Sequence, residues 1–266
     1  MNKIKPIPNP TSPFSAKMSV KFDFQNRDVW IVGAQRGIGR AIADAFVEAG
    51  ANVTGFDLKF AGDEKFITRE LDVTDAAEVH AIAQNVSKID VLVNAAGTLT
   101  NSATENLEEK DWNRVFNVNV KGSFNLFKNL IPQFKKQRFG SIVVLASNSA
   151  HVPRIGMSAY GASKSALVSL TQSVGLELAE YGVRTNVVSP GSTNTDMLGS
   201  MLGNDFAAGE KKLVAGLPDQ YKLGIPLKKI AQPGEIAATV LFLASDASSH
   251  TILQDIVIDG GATLAA

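Results

Sequence analysis

Asp28-Val29-Trp30-Ile31-Val32-Gly33-Ala34-Gln35-Arg36-Gly37-Ile38-Gly39 passes from a short apolar run directly into three glycines, and a helical apolar spacing follows from Gly37. The run reads as a buried strand, and the glycines allow a sharp turn that a Cβ would obstruct. A strand turning in this way into a helix presents free N–H groups and a partial positive charge, which suits a phosphate. The spacing is GxxxGxG, distinct from the GxGxxG dinucleotide fingerprint. Glycines also end strands for structural reasons alone, so the loop takes its meaning from its surroundings.

From Asp28 onward, short apolar runs alternate with longer helical patterns, the signature of a doubly wound parallel sheet with crossover helices. Strands are predicted at Val29–Val32, Asn52–Phe56, Phe66–Leu71, Val91–Asn94, Ser141–Leu145, Arg184–Val188 and Asp255–Ile258. Helices are predicted at Gly37–Ala49, Ala76–Val86, Trp112–Lys136, Ser158–Tyr181 and Pro233–Leu243 from apolar spacings of three and four. The expected fold is α/β, a single domain over residues 21–266 with about seven strands. Residues 191–226 form the one long stretch with no element assigned. Such a connection is uncommon in a compact domain unless it is functional, so a substrate lid is expected there. Residues 1–20 carry Pro6, Pro8, Pro10 and Pro13 and no apolar core. They are predicted to be a flexible tail and not an export signal.

Across 266 residues, 26 Lys and Arg balance 26 Asp and Glu, and there is no cysteine. With no basic run, the chain lacks the electrostatic footprint of a nucleic-acid binder or a polybasic membrane anchor, so a small-molecule partner is expected. The lack of cysteine excludes disulfides and thiolate metal sites; His80, His151 and His250 are scattered, and no metal is expected. No apolar run reaches the roughly 18 to 20 residues of a spanning helix. A cytoplasmic protein is expected.

Asp57 ends the second strand, where a carboxylate can accept hydrogen bonds from ribose hydroxyls and repel a 2′-phosphate; it can equally be an ordinary turn residue. Tyr160 and Lys164 stand four apart at the start of a helix and share a face. Taking a proton from an alcohol near neutral pH requires a base poised far below the usual tyrosine value of about 10. A lysine charge at about 4 Å supplies roughly the 4 kcal/mol needed, and oxidised nicotinamide would help. Ser147 lies just past a buried strand, at the carboxyl edge of the sheet, where its hydroxyl can bond the reacting oxygen. Taken singly, each residue also has a plain structural reading, as a helix pair or a strand-end cap.

In combination these features resemble the classical short-chain dehydrogenase/reductase family, and the resemblance runs from Asp28 to the C-terminus. It implies a Rossmann-type fold and an NAD(P)-dependent oxidoreductase with Asn119, Ser147, Tyr160 and Lys164 as catalytic residues. Asn119 with Gly122 matches the family's NxxG and would organise the water joining Lys164 to solvent. The cofactor would lie on Gly33, Arg36, Gly37, Ile38 and Gly39, with Asp57, Asp72 and Val73 on the adenosine side. Asn94, Ala95 and Gly97 match the NAAG motif, and Tyr160, Lys164, Pro190, Gly191 and Thr193 complete the set. Val32 departs from the family, which usually has a Thr there to brace the loop. Arg36 is of a kind that often accompanies NADP, but a carboxylate against a 2′-phosphate is a direct like-charge contact, so NAD is expected.

The stretches 153–164, 188–197, 221–227 and 253–261 look like those of family members that oxidise an anionic cyclohexadiene diol to an aromatic acid. Ser147, His151, Arg154, Met157 and Met197 would then face substrate. Arg154 would meet the carboxylate, with His151 and Lys222 as other cations; Arg154 also reads as a surface residue and the methionines as core. The resemblance further implies a homotetramer, with the helix near Trp112, the Tyr160 helix and the segment Ile252–Ala266 at its interfaces. Two alternatives stand: an NADPH-dependent 3-oxoacyl carrier-protein reductase, and a non-catalytic nucleotide-sensing scaffold. Loss of Ser147, Tyr160 or Lys164 would mark the latter, and all three are present.

Overall fold

The computed structural model describes residues 22–202 and 206–264, so the tail expected over residues 1–20 lies outside the described residues. Along the chain run β1 (Asp28–Val32), α1 (Gly37–Glu48), β2 (Asn52–Asp57), β3 (Ile67–Glu70), α2 (Ala76–Gln84), β4 (Val91–Asn94), α3 (Glu109–Phe116) and α4 (Gly122–Gln137). There follow β5 (Gly140–Leu145), α5 (Ser158–Ala179), β6 (Val183–Pro190), α6 (Asp196–Leu202), α7 (Phe206–Ala215), α8 (Pro233–Ala244) and β7 (Asp255–Ile258). The strands make one parallel sheet in the order β3-β2-β1-β4-β5-β6-β7. This is the doubly wound α/β architecture expected from the alternation.

Side chains on a strand point alternately to the two faces, and the central strands use both. Val29, Ile31, Val91, Val93, Val143 and Leu145 pack on one side with Ile42 and Phe46 of α1 and Val240 of α8. Val32, Leu92, Ile142 and Val144 pack on the other with Leu126 and Phe134 of α4 and Leu167 of α5. Continuous apolar runs in β4 and β5 are therefore the mark of strands buried on both faces. Between β1 and β4 the strand order reverses. The crevice outside the carboxyl ends of the strands opens at that switch point, and every element that follows a strand there can contribute to it.

Two expectations are corrected. The single helix predicted over Trp112–Lys136 is α3 and α4 joined by one π turn, Asn117–Lys121. The backbone stays in the right-handed helical region through the junction, so apolar spacing cannot register the change in hydrogen bonding. Residues 191–226 are not irregular: they contain α6, α7 and a 3-10 turn at Pro218–Gln220. Leu198, Ile225 and Ile230 form a small separate core there, packed by Leu202, Phe206 and Leu213. An α6 of seven residues is too short for a helical period to stand out. Among the described residues, no helix is long and apolar enough to cross a membrane.

Candidate active site

The turn from β1 into α1 is built for close backbone approach. Gly33 has φ +83°, and a Cβ there would lie 2.7 Å from the Ala95 carbonyl carbon; one on Gly39 would lie 1.9 Å from the Gly33 carbonyl oxygen. No side chain caps the start of α1, where Arg36 is the N-cap residue, so the first-turn N–H groups of Gly37, Ile38 and Gly39 can serve an anion. Val32, the departure from the family pattern, is buried in the core. The loop is braced instead by Gly33 N–H and Ala34 N–H donating to the Phe56 carbonyl at 2.7 and 3.2 Å. Asp57 is fixed by two backbone donors, Gln35 N–H at 3.0 Å and Leu58 N–H at 2.8 Å. Its carboxylate therefore belongs to the glycine loop as well as to β2.

The remaining sequence-predicted cofactor positions border the same crevice or hold its walls. Asp72 accepts from Thr74 N–H and Oγ1 at 2.8 Å each, and the Val73 carbonyl accepts from Asn125 Nδ2 at 2.9 Å. Asn94 donates to Ser123 Oγ at 2.8 Å and accepts from Ala96 N–H at 3.2 Å, tying the end of β4 to α4. Ala95, Gly97, Pro190, Gly191 and Thr193 line the cleft. Gly191 N–H donates to the Ile258 carbonyl at 2.9 Å, which holds the chain leaving β6 against β7. These residues fit a dinucleotide: an uncapped helix start behind close-packed glycines, with the Asp57 carboxylate tied to the same loop.

Ser147 follows β5, Tyr160 and Lys164 occupy the first turns of α5, and all three are buried on the same cleft, about 350 Å³ in volume. Ser147 Oγ accepts from Ser149 N–H at 3.1 Å and hydrogen-bonds the Tyr160 hydroxyl. Lys164 Nζ donates to the Leu145 carbonyl at 2.8 Å and stands 5.8 Å from the Tyr160 ring centroid. Burial pushes Lys164 down to about 8. Burial also pushes Tyr160 above its ordinary value, opposed by the Ser147 hydrogen bond. The expectation is that Lys164, helped by oxidised nicotinamide, lowers Tyr160; the protein groups around the phenol by themselves push it upward. The Lys164 ammonium is itself desolvated and turned toward the Leu145 carbonyl.

Asn119 lies in the π turn and is wholly buried. Its Oδ1 accepts from Thr98 N–H at 2.8 Å, and its Nδ2 donates to the Thr98 carbonyl and to Ser163 Oγ, both at 2.9 Å. Ser163 Oγ in turn donates to the Tyr160 carbonyl at 2.7 Å. The carboxamide thus staples the loop after β4 to the helix that carries Tyr160. Sequence reading missed Thr98 and Ser163 as partners, although Ser163 sits beside Lys164 in the run that drew attention to the helix.

Of the residues expected to face substrate, Ser147, Arg154, Met157 and Met197 line the cleft, and His151 does not. His151 Nε2 pairs with Asp255 Oδ2 of β7 at 2.9 Å. That partner lies 104 residues away in sequence, which proximity to Ser147 along the chain could not reveal. Arg154 is half-buried; burial lowers it and the charge of Asp259 opposes the shift. Asp259 itself accepts from Asn148 Nδ2, Thr263 Oγ1 and the N–H groups of Gly261 and Ala262.

Residues 33–263 match the sequence family described as Enoyl-(Acyl carrier protein) reductase. The chain is 57% identical over 249 residues to a 2,3-dihydro-2,3-dihydroxybenzoate dehydrogenase of Escherichia coli (strain K12), covering 92% of this chain and 100% of that one. It is 38% identical to the enzyme of the same name from Bacillus subtilis (strain 168), covering 90% and 97%. Among solved structures, the aldohexose dehydrogenase of Thermoplasma acidophilum superposes with a TM-score of 0.83 at 32% identity, over 91% of this chain and 96% of that one.

Proposed function

The chain belongs to the short-chain dehydrogenase/reductase family, and on that premise we propose that it oxidises 2,3-dihydro-2,3-dihydroxybenzoate to 2,3-dihydroxybenzoate in siderophore biosynthesis, with NAD⁺ as acceptor. The observation that carries this reading is the convergence of Ser147, Tyr160 and Lys164 on one cleft that also holds a half-buried cation, Arg154, suited to a carboxylate. Gly33, Gly37, Ile38 and Gly39 would hold an oxidised nicotinamide dinucleotide, which would supply the hydride acceptor. Ser147 Oγ holds the reacting oxygen. Tyr160 takes the hydroxyl proton as the C–H bond breaks, and Lys164 favours its phenolate. The dienone so formed tautomerises to the catechol acid, and aromaticity makes the oxidation effectively one-way. Asn119 keeps the Tyr160 helix in register with the loop after β4 through Thr98 and Ser163.

NAD⁺ is preferred to NADP⁺ in this reading because Asp57, held at the end of β2 beside the glycine loop, would face a 2′-phosphate with like charge. We place the enzyme in the cytoplasm, where NAD⁺ is supplied, and as a homotetramer. The experiment is NADH formation from the dihydrodiol acid with NAD⁺, compared with NADP⁺ and with acetoacetyl thioester plus NADPH. Turnover with the dihydrodiol and NAD⁺, lost in Tyr160→Phe with NADH binding retained, is expected. Better turnover of the thioester with NADPH would instead make the chain a 3-oxoacyl reductase.

A further inference from the structure

The lid segment contributes a second cation to the cleft. After α7 the chain forms a loop closed by the antiparallel bridge between Leu217 and Lys222, with Leu217 N–H donating to the Lys222 carbonyl at 2.9 Å and Lys222 N–H returning to the Leu217 carbonyl at 3.1 Å. Gly216 and Gly224 flank it with φ of +100° and +88°. A Cβ on either would lie within 2.8 Å of the opposing backbone, so neither position has room for a side chain in this loop. The loop sets Lys222 on the cleft wall, half-buried, with Arg154 on the same cleft.

Other half-buried or buried cations among the described residues have partners. Arg27 and Arg40 sit in ion pairs, Arg184 is ringed by carbonyls, Lys135 covers Tyr181 and Lys164 donates to Leu145. Arg154 and Lys222 have no ion pair and no side-chain hydrogen bond among the described residues. Burial lowers Lys222, and the guanidinium of Arg154 lowers it further. Asp259, the carboxylate close to Arg154, is already occupied by four donors. Two like charges held together in a partly desolvated cleft are unfavourable unless an anion comes between them.

We propose that Lys222 and Arg154 together grip the carboxylate of the substrate, so that the loop from Gly216 to Gly224 is the element that selects the acid over a neutral diol. The assignment rests on the function proposed above for the identity of the acid, while the charge selection can be read separately. The variants are Lys222→Met, Arg154→Met, the pair, and Lys222→Arg. Two quantities are measured on each: kcat/KM for the dihydrodiol acid and for its counterpart lacking the carboxylate, and Kd of the NADH-loaded protein for 2,3-dihydroxybenzoate and for catechol by calorimetry. Lys222→Met should cut the acid-over-neutral preference about tenfold in both, through KM and not kcat. The double variant should bring the preference close to one, and Lys222→Arg should restore most of it. Equal loss for acid and neutral ligands, or no change in either, would overturn the proposal. Failure of the wild type to form NADH would sink the reading of the reaction, and the Kd comparison would still decide the role of Lys222: a wild type binding catechol as tightly as the acid overturns it.

Discussion

Lys164 is held at 4% exposure with its ammonium on one backbone carbonyl, and this has a consequence for stability. Its value falls from 10.5 to about 8 through burial, so between those two pH values the unfolded chain holds a proton that the folded one has lost. Stability then rises with pH across this window; the burden is complete below about 8 and gone above the unfolded value. Lys164→Met removes it. Relative to that variant, wild type should gain roughly 3 kcal/mol as pH rises from about 8 toward 10.5, read by urea unfolding of both proteins at a series of pH values. Parallel curves would show that Lys164 keeps an ordinary value. That Ser147, Tyr160 and Lys164 share one cleft was legible in the sequence, since Tyr160 and Lys164 stand four apart on one helix face and Ser147 follows a buried strand, while their expected roles came from the family resemblance. The direction of the Tyr160 shift was not legible. It depends on how deeply the rest of the fold buries the phenol, and no local pattern carries that. The pairing of His151 with Asp255 was hidden for the same reason.

At the scale of elements, the turn from β1 into α1 was readable because glycine leaves a signature wherever backbone must approach backbone. The contact it serves is between Gly39 and the Gly33 carbonyl oxygen, where a Cβ would sit at 1.9 Å. Gly39→Ala should therefore force the start of α1 away from β1 and scatter the N–H groups that face a pyrophosphate. We expect loss of measurable NADH binding in a fluorescence titration while far-ultraviolet circular dichroism stays close to wild type, since the strain of one methyl costs about 1–3 kcal/mol and the sheet core lies elsewhere. Retained binding would mean that the loop relaxes freely. The π turn between α3 and α4 and the short helices α6 and α7 were illegible for a different reason. Apolar periodicity reports which face of a helix is buried, whereas a π turn changes hydrogen-bond partners without moving that face. Helices α6 and α7 bury only a small separate cluster around Leu198 and Ile225, so their apolar stripes are too short to read.

For the whole molecule, the surface left uncovered bears on assembly. Leu176 of α5 is 68% exposed and Phe124 of α4 is 47% exposed, and α5 adjoins both α3 and α4. Trp112 of α3, also exposed, stacks on Phe116 at 4.6 Å between ring centroids. Beside β6, on which α5 packs, β7 ends the sheet, with one edge unpaired among the described residues and its four residues half-buried. A strand edge and a separate face of apolar helices are two distinct surfaces, and two isologous contacts through different surfaces generate a tetramer with three perpendicular twofold axes. Light scattering should therefore give about four times the 28.3 kDa chain mass. Introducing Phe124→Glu with Leu176→Glu attacks the helical face alone. If that face is one of the two contacts, the double variant should run at about half the wild-type mass, because the β7 contact survives, and each dimer should keep its cleft since Phe124 and Leu176 do not line it. A wild type that is monomeric at micromolar concentration removes the tetramer, and a double variant that keeps the full mass moves the second contact away from α4 and α5.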